Sequence, residues 1–193
     1  MATVVLQPSG NISSGNFDNS SSTGTFGYGF INDSSNSTYV FNTSQNQSFV
    51  VHVDDTSGLS GATFNNFTVT AVFQKHGARG VDGSFEVEIG NASSATTFGS
   101  VSDATFVTTN ATPTTISSSA IAFGGSVSDS DVDDMRIKVT TTDATQVRFF
   151  QLYVTVDYTA ASGYGNAVNG VAAASISKIN GVATASISKV NGI

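Results

Sequence analysis

The sequence contains no cysteine and no tryptophan, and it has only two histidines and two prolines in 193 residues. Without cysteine there is no disulfide, no zinc–thiolate site and no thiol nucleophile, and two histidines leave little room for a histidine metal centre. Charged residues are also scarce, at 11% of the chain. We therefore expect no catalytic residue, no bound metal and no cofactor, and we expect a non-enzymatic protein.

Positive charge is the scarcer of the two signs, with seven Lys and Arg against 14 Asp and Glu and a net charge of −7. The basic residues are scattered, so no stripe is available to bind phosphates, and we expect no nucleic-acid partner. No apolar run is long enough to span a membrane. The first residues also lack the basic and apolar regions of a signal peptide. We expect a protein that has no membrane partner and that folds in a reducing cytoplasm.

Small polar residues dominate the chain, which has 29 Ser, 24 Thr and 15 Asn, together with 19 Gly. Among them stand 14 Phe and 5 Tyr, spread along the sequence. A disordered chain has few aromatic residues and a high net charge, so this composition is typical of a β protein with wide polar loops.

Apolar and polar residues alternate in five separate segments, which is the pattern of half-buried antiparallel strands. Weaker runs and a short N-terminal strand raise the strand count to about eight or nine. With no amphipathic helix before residue 165, the sequence predicts an all-β antiparallel jelly-roll sandwich over residues 1–160. Residues 9–37 are either a long loop docked by its aromatic residues or a set of short strands. The apolar sets are Phe49, Val51, Val53; Phe67, Val69, Ala71, Phe73; Phe85, Val87, Ile89; Met135, Ile137, Val139; and Phe150, Leu152, Val154, Val156, Tyr158.

Residues 161–193 form a linker and a tail with an 11-residue repeat, in units that begin at Asn169, Asn180 and Asn191. The Asn-Gly pairs that open the units are typical of hairpin turns. A helix is the alternative, because an 11-residue period nearly closes three helical turns and gathers the large apolar residues into one stripe. Either form leaves an apolar stripe that must pack on the sandwich, a sister subunit or another protein. The predicted partner-binding residues are Val171, Ile176, Ile179, Val182, Ile187, Val190 and Ile193.

The opening residues 2–9, the segment Ile31-Asn-Asp33 and the segments 130–139 and 150–158 resemble jelly-roll modules of tailed-phage virion proteins, which are similar in style to carbohydrate-binding modules. The tail from Tyr164 onward, with its Ser-Ile-Ser-Lys-Val/Ile-Asn-Gly units, resembles repeats at the C-termini of phage structural proteins. The resemblance implies a virion component made in the host bacterial cytoplasm, and it transfers no active-site residue.

Two functions follow from this resemblance. The first is a capsid decoration or cement subunit that docks on other virion proteins through its C-terminal repeats, by many weak contacts on a symmetric shell. By analogy with other jelly rolls we expect a homo-oligomer, and specifically a trimer. The alternative is a tail or fibre subunit that binds a host glycan, for which Tyr28, Phe30 and Tyr39 could supply rings unless they pin the long loop to the core.

Two acidic patterns have both a functional and an ordinary interpretation. Asp129, Asp131 and Asp133 are spaced as in a calcium loop, but Asp134 stands where such a loop has glycine, so a polar turn with capping carboxylates is the alternative. Glu86 and Glu88 share a strand face at a spacing that suits a glycosidase pair. We expect them instead to lie on a solvent face opposite Arg136 and Lys138.

Two further features have a surface interpretation. His52 lies on the polar side of its predicted strand. Residues 75–80 (Lys-His-Gly-Ala-Arg-Gly) read as a basic hairpin tip, with contact to an acidic neighbour in an assembly as the functional alternative.

Overall fold

The computed structural model describes residues 1–21, 26–44, 46–56, 59, 61–76, 83–94, 96–142, 146–160, 178–179 and 182–183. These residues form strands, one helix of a single turn and one 3₁₀ turn. The described part of the chain contains no helix that is long and apolar enough to cross a membrane. The elements are β1 (Ala2–Leu6), β2 (Pro8–Ser13), β3 (Phe17–Asn19), the 3₁₀ turn (Tyr28–Phe30), β4 (Val40–Asn42), β5 (Ser48–Val53), β6 (Thr63–His76), β7 (Gly83–Asn91), β8 (Thr97–Thr108), β9 (Thr114–Ser117), β10 (Ile121–Ala122), α1 (Asp129–Asp133), β11 (Met135–Thr141), β12 (Gln146–Thr159), β13 (Lys178–Ile179) and β14 (Val182–Ala183).

Two antiparallel sheets build the domain. In the seven-stranded sheet, β6 and β12 are central, β1 and β4 share the far edge of β12, and β9 and β10 share the far edge of β6. The five-stranded sheet has the order β2-β5-β11-β7-β8. Most connections between β1 and β12 pass from one sheet to the other, while β3–β4, β7–β8 and β9–β10 stay within a sheet. This is the wrapping of a jelly roll, and the predicted fold class is confirmed.

Phenylalanine fills the space between the sheets, in a chain that has no tryptophan. The rings of Phe85 and Phe106 stack with centroids 4.8 Å apart, and Phe149 meets Phe85 edge-on at 4.7 Å. The alternation of β5, β7 and β11 is as predicted, with every second residue buried except at the end of β7, where Gly90 is buried as well. A contiguous cluster of buried residues runs from Leu6 to Val156, so residues 1–160 contain the described core.

One β-bulge changes the predicted face of β12. Phe149 lies opposite Phe73 but Gln151 lies opposite Val72, so Phe150 is an extra residue in the ladder. The extra residue switches the side-chain parity, and Phe149 therefore joins the core together with Leu152. Phe150 is buried as predicted, but it lies outside the core cluster, because its ring packs against Tyr39 at 5.4 Å instead of facing the other sheet.

The segment from residue 9 to residue 37 combines both predicted forms. It contains the short strands β2 and β3, and the rings of Phe17 and Phe26 are buried in the core cluster. Tyr28 and Phe30 pack against the same cluster from the 3₁₀ turn. These two rings therefore pin the segment to the core.

The described residues of the tail are strands. Lys178 is paired with Ala183 and Ile179 with Val182 in antiparallel register. Because the paired residues are separated only by positions 180–181, the pairing favours the hairpin interpretation of the repeats over the helical one. Val171, Ile176, Ile187, Val190 and Ile193 lie outside the described residues.

Candidate functional site

The acidic segment around Asp131 forms the helix α1 with a reciprocal N-terminal cap. The Ser128 hydroxyl accepts from the Asp131 N–H, and the Asp131 carboxylate accepts from the Ser128 N–H at 2.9 Å. Such a capping box satisfies two backbone donors at the start of a helix. The capping interpretation of these carboxylates is confirmed.

The other carboxylates of this segment tie neighbouring loops to the helix. Asp133 accepts from the Thr56 N–H at 2.6 Å and from the Thr56 hydroxyl. Asp134 accepts from the Ser93 N–H at 2.9 Å and lies 3.5 Å from His52 Nε2. Asp129 also accepts from the Thr56 hydroxyl, at 3.4 Å, and so shares this partner with Asp133, whereas Asp131 and Asp134 have other partners. Among the described residues no group of three or more His, Cys, Asp or Glu side chains could hold a metal ion.

Acid should weaken the fold through Asp131. Hydrogen bonds from Ser128 hold the pKa of the Asp131 carboxyl below its ordinary value of 3.8. The folded protein then binds fewer protons than the unfolded chain, so this stabilisation is complete above about pH 4 and is lost as the pH falls through the lowered pKa. We expect Asp131→Asn to lose less stability than the wild type between about pH 6 and about pH 3 in urea unfolding. Equal losses in the two proteins would contradict the assignment.

The pair Glu86 and Glu88 lies on the outer face of the five-stranded sheet, as expected. Lys138 stands directly opposite Glu88. Glu88 accepts from Arg136 Nη2 at 2.7 Å and lies 3.9 Å from Lys138 Nζ. Glu88 therefore belongs to a cross-strand ion-pair ladder, while Glu86 is exposed.

The basic segment 75–80 is only partly described. Lys75 lies near the end of β6, where its N–H donates to the Asn110 carbonyl at 3.0 Å. Residues 77–80 lie outside the described residues, so the expected hairpin tip stays a prediction.

The outer face of the seven-stranded sheet carries a cluster that the sequence analysis did not find. We call it the Arg148 cluster, and its members are Tyr39, Phe41, Gln74, Arg148 and Phe150. The Arg148 guanidinium lies over the Tyr39 ring, with Cζ 4.5 Å from the ring centroid. Tyr39 also packs on Phe41 at 6.0 Å and on Phe150 at 5.4 Å. Tyr39 therefore belongs to this outer surface, unlike the two rings of the 3₁₀ turn.

A shallow polar cleft lies beside the Arg148 cluster, and its empty volume of about 160 Å³ includes open solvent. Ile31 and Leu152 line it together with five polar or aromatic side chains, which are Gln7, Asn32, Ser34, Gln151 and Tyr153. Two of its amides are oriented by hydrogen bonds, since Asn32 Nδ2 donates to the Pro8 carbonyl at 2.7 Å and Gln151 Nε2 donates to Asn36 Oδ1 at 3.4 Å.

The cleft exists because the edge of β12 changes partners along its length. Its first part pairs with β4 and its last part with β1, and between them the Leu152 N–H donates to the Ile31 carbonyl at 3.1 Å. The loop after Ile31 is held by Asp33, whose carboxylate accepts from the Ser35 N–H at 2.9 Å and from the Thr38 hydroxyl. The only trace of this site in the sequence is the short polar loop 31–38. The sequence analysis missed the site because the packing of this loop on β12 depends on the order of the strands.

No protein-family model matches the chain, and no curated protein matches it either. Solved structures that are similar include a xylan-binding domain of carbohydrate-binding module family 22, at 14% identity and a TM-score of 0.37, covering 81% of this chain and 92% of that one. A C-terminal family 22 module of a Clostridium thermocellum xylanase is similar at 13% identity and a TM-score of 0.38, covering 75% of this chain and 88% of that one.

Two larger structures are also similar. One is the Clostridium thermocellum module pair CBM22-1–GH10, at 10% identity and a TM-score of 0.41, covering 85% of this chain but 30% of that one. The other is the Agl-KA catalytic domain, at 9% identity and a TM-score of 0.43, covering 88% of this chain and 30% of that one. Carbohydrate-binding modules are thus among the similar structures, but nothing in them concerns a phage or the C-terminal repeats. With TM-scores below 0.5, none of them supports an argument about function.

Proposed function

We propose that the protein is a non-enzymatic binding module that recognises a glycan on the outer face of its seven-stranded sheet. The observation that carries the proposal is the polar cleft, where oriented amides meet the half-buried ring of Tyr153. The Arg148 cluster continues this surface along the same strand, β12.

The chemistry of the cleft suits a sugar. Sugar hydroxyls both donate and accept hydrogen bonds, and the amides of Gln7, Asn32 and Gln151 offer both kinds of group. The Tyr153 ring can pack against the apolar face of a pyranose while its hydroxyl stays hydrated. Because hydrogen bonds already orient Asn32 and Gln151, less side-chain entropy is lost when a ligand binds.

A second candidate function is a virion structural subunit, as a capsid decoration or cement protein or as part of a tail or fibre. The 11-residue repeats support it, because the two-residue strands that pair between consecutive repeat units are too small to be stable alone and need a larger surface. In a fibre the two functions coincide, since repeated copies would make weak glycan contacts multivalent. If the protein is such a subunit, we expect it to form a homo-oligomer, specifically a trimer.

Replacing both Gln151 and Tyr153 by Ala should strongly weaken glycan binding. Each lost contact removes about 1 kcal/mol, so the two together should lower the affinity by about thirtyfold. The measurement is retention and calorimetric titration of the full chain on a panel of host surface polysaccharides. Thr155→Ala is the matched control, because Thr155 lies on the same face of β12 but does not line the cleft.

The same panel separates the two candidates. Binding by the isolated subunit, lost in the double variant and kept in the control, supports the glycan module. Failure to bind any polysaccharide, together with copurification of the protein with particles in multiples of the shell symmetry, would favour the decoration subunit instead.

A further inference from the structure

Strand β1 forms an edge of the seven-stranded sheet that no described strand covers. On one side it pairs with β12 in a regular antiparallel register, from Ala2 opposite Tyr158 to Leu6 opposite Val154. On its other side, no strand in the described part of the chain pairs with it. Alternate residues of an antiparallel strand direct their N–H and C=O groups to opposite sides, so the outer groups of β1 are available to a further strand.

β1 also lacks the features that protect the other edges of the sandwich. Proteins block unwanted pairing at an edge with proline, bulges, charged side chains or very short strands. β2 begins at Pro8 and has two register shifts, while β8 has two register shifts and contains Asp103. The other described edge strands, β3, β9 and β10, have only two to four residues. β1 has five residues with no proline, no bulge and no charged side chain, so it is open to regular pairing.

Apolar side chains on both faces of β1 are incompletely covered. Val4 packs against the core but is only half-buried, and Val5 on the outer face is 51% exposed. Residues that stand opposite each other on adjacent strands pack side by side. A further strand along β1 would therefore cover both valines.

The charge distribution favours a second copy of this chain as that strand. Two copies repel each other because each has a net charge of −7, yet residues 1–17 contain no charged side chain. On the neighbouring strand β12, the nearest charged side chain is Asp157, which stands opposite Thr3. Two copies can thus meet along β1 without bringing like charges into contact, and a partner recognised by its charge would find no complement there.

We propose that β1 pairs with β1 of a second copy, antiparallel and about a two-fold axis. A register centred on Val4 is the one that pairs all five residues of both strands. It places Val4 opposite Val4 of the second copy, and Thr3 opposite Val5. Opposite residues of an antiparallel pair point to the same face, so the first pair closes the core side and the second covers the outer side.

The pairing joins two seven-stranded sheets into one continuous sheet. The two β12 strands then lie three strand spacings apart, which is about 14 Å. A contact of five residues is small, and interfaces below about 1,200 Å² are typical of weak, transient association. The inference does not rest on the proposed glycan binding. Where both hold, the two polar clefts lie on the same face of the joined sheet and can bind one glycan surface together.

Sedimentation of the full chain over a range of concentrations tests the pairing. We expect a monomer–dimer equilibrium that shifts toward dimer as salt rises from about 0.01 M to about 0.15 M, because the Debye length falls from about 30 Å to about 8 Å and the repulsion between copies is screened. Thr3→Lys with Val5→Lys should weaken the dimer by about tenfold or more, because like charges directly opposite each other destabilise a strand pair. Ile12→Lys with Ser13→Lys is the matched control, since it adds the same charge to exposed residues of β2.

A cross-link tests the register. The chain has no cysteine, so Val4→Cys introduces a single thiol. Directly opposite residues of an antiparallel pair have Cα atoms about 4.5–5.5 Å apart, which is within the range of a disulfide. We expect Val4→Cys to form a disulfide-linked dimer under mild oxidation much faster than Ile12→Cys. Ile12 is 47% exposed, so random collisions would favour the control instead.

Three results would overturn the proposal. The first is a monomer at all concentrations, with no preferential cross-link at Val4→Cys. The second is the trimer expected for a virion subunit, because a strand paired with its own copy closes at two subunits. The third is association that is kept in Thr3→Lys with Val5→Lys but lost in Ile176→Asp with Ile187→Asp, which would place the contact in the tail. Thermal unfolding of each variant shows whether the sandwich remains intact, and none of these results bears on glycan binding.

Discussion

Val154→Asp is expected to abolish folding of the sandwich. Val154 is completely buried on β12, between Leu6 on β1 and Val69 on β6. A carboxylate at this position would be desolvated and have no cation within the described core, and burial of such a group costs several kcal/mol. Since the free energy of unfolding of a small domain is only about 5–15 kcal/mol, one such substitution can remove most of it. Loss of the far-UV circular dichroism signal of the folded protein is the measurement.

Thr155→Asp is the matched control for this prediction. Thr155 is the next residue on the same strand, half-buried on the opposite face of the sheet. The two variants add the same charge one position apart, so only the side of the sheet differs. Full solubility and a native spectrum for Val154→Asp, with unfolding of Thr155→Asp, would show that the core lies on the other face.

Deletion of residues 164–193 is expected to leave the sandwich folded and to abolish incorporation into an assembly. The described core ends at Val156, so the deletion removes none of its residues. The deletion does remove all seven apolar residues predicted to bind a partner, and with them the repeated contacts on which multivalent docking depends. The two measurements are thermal unfolding of the truncated chain and its copurification with particles.

A second variant separates loss of contacts from loss of chain length. The double variant Ile176→Asp, Ile187→Asp keeps the full length of the tail and places a charge at the same position of both repeats. We expect it to fail in assembly as the deletion does. An unfolded truncated chain would refute the assembly role and make the tail part of the domain core.

The sequence predicted the strands well where one face of a strand is buried and the other face is exposed to solvent. The alternation of Phe49, Val51 and Val53 correctly placed the buried face of β5. The cross-strand neighbours of Glu88 were also predicted, because two adjacent strands carried opposite charges at matching positions. Local pattern carries this information because a strand has a fixed side-chain period of two.

The same rule failed at Phe149 and Phe150. A bulge adds one residue to β12 without any local mark in the sequence, and every position before it changes face relative to those after it. The bulge also helps to place Phe150 against Tyr39, and so contributes to the Arg148 cluster. The error and the missed site therefore have a common origin.

By itself, the sequence determined that this is an all-β protein with a repeat tail, because composition and period-two alternation are properties of neighbouring residues. Only the tertiary structure decided which surface is a candidate site. Tyr39, Gln74 and Arg148 are distant along the chain and come together through the pairing of β12 with β4 and β6. Strand order and register arise from the packing of the whole core, and no short segment of sequence contains them.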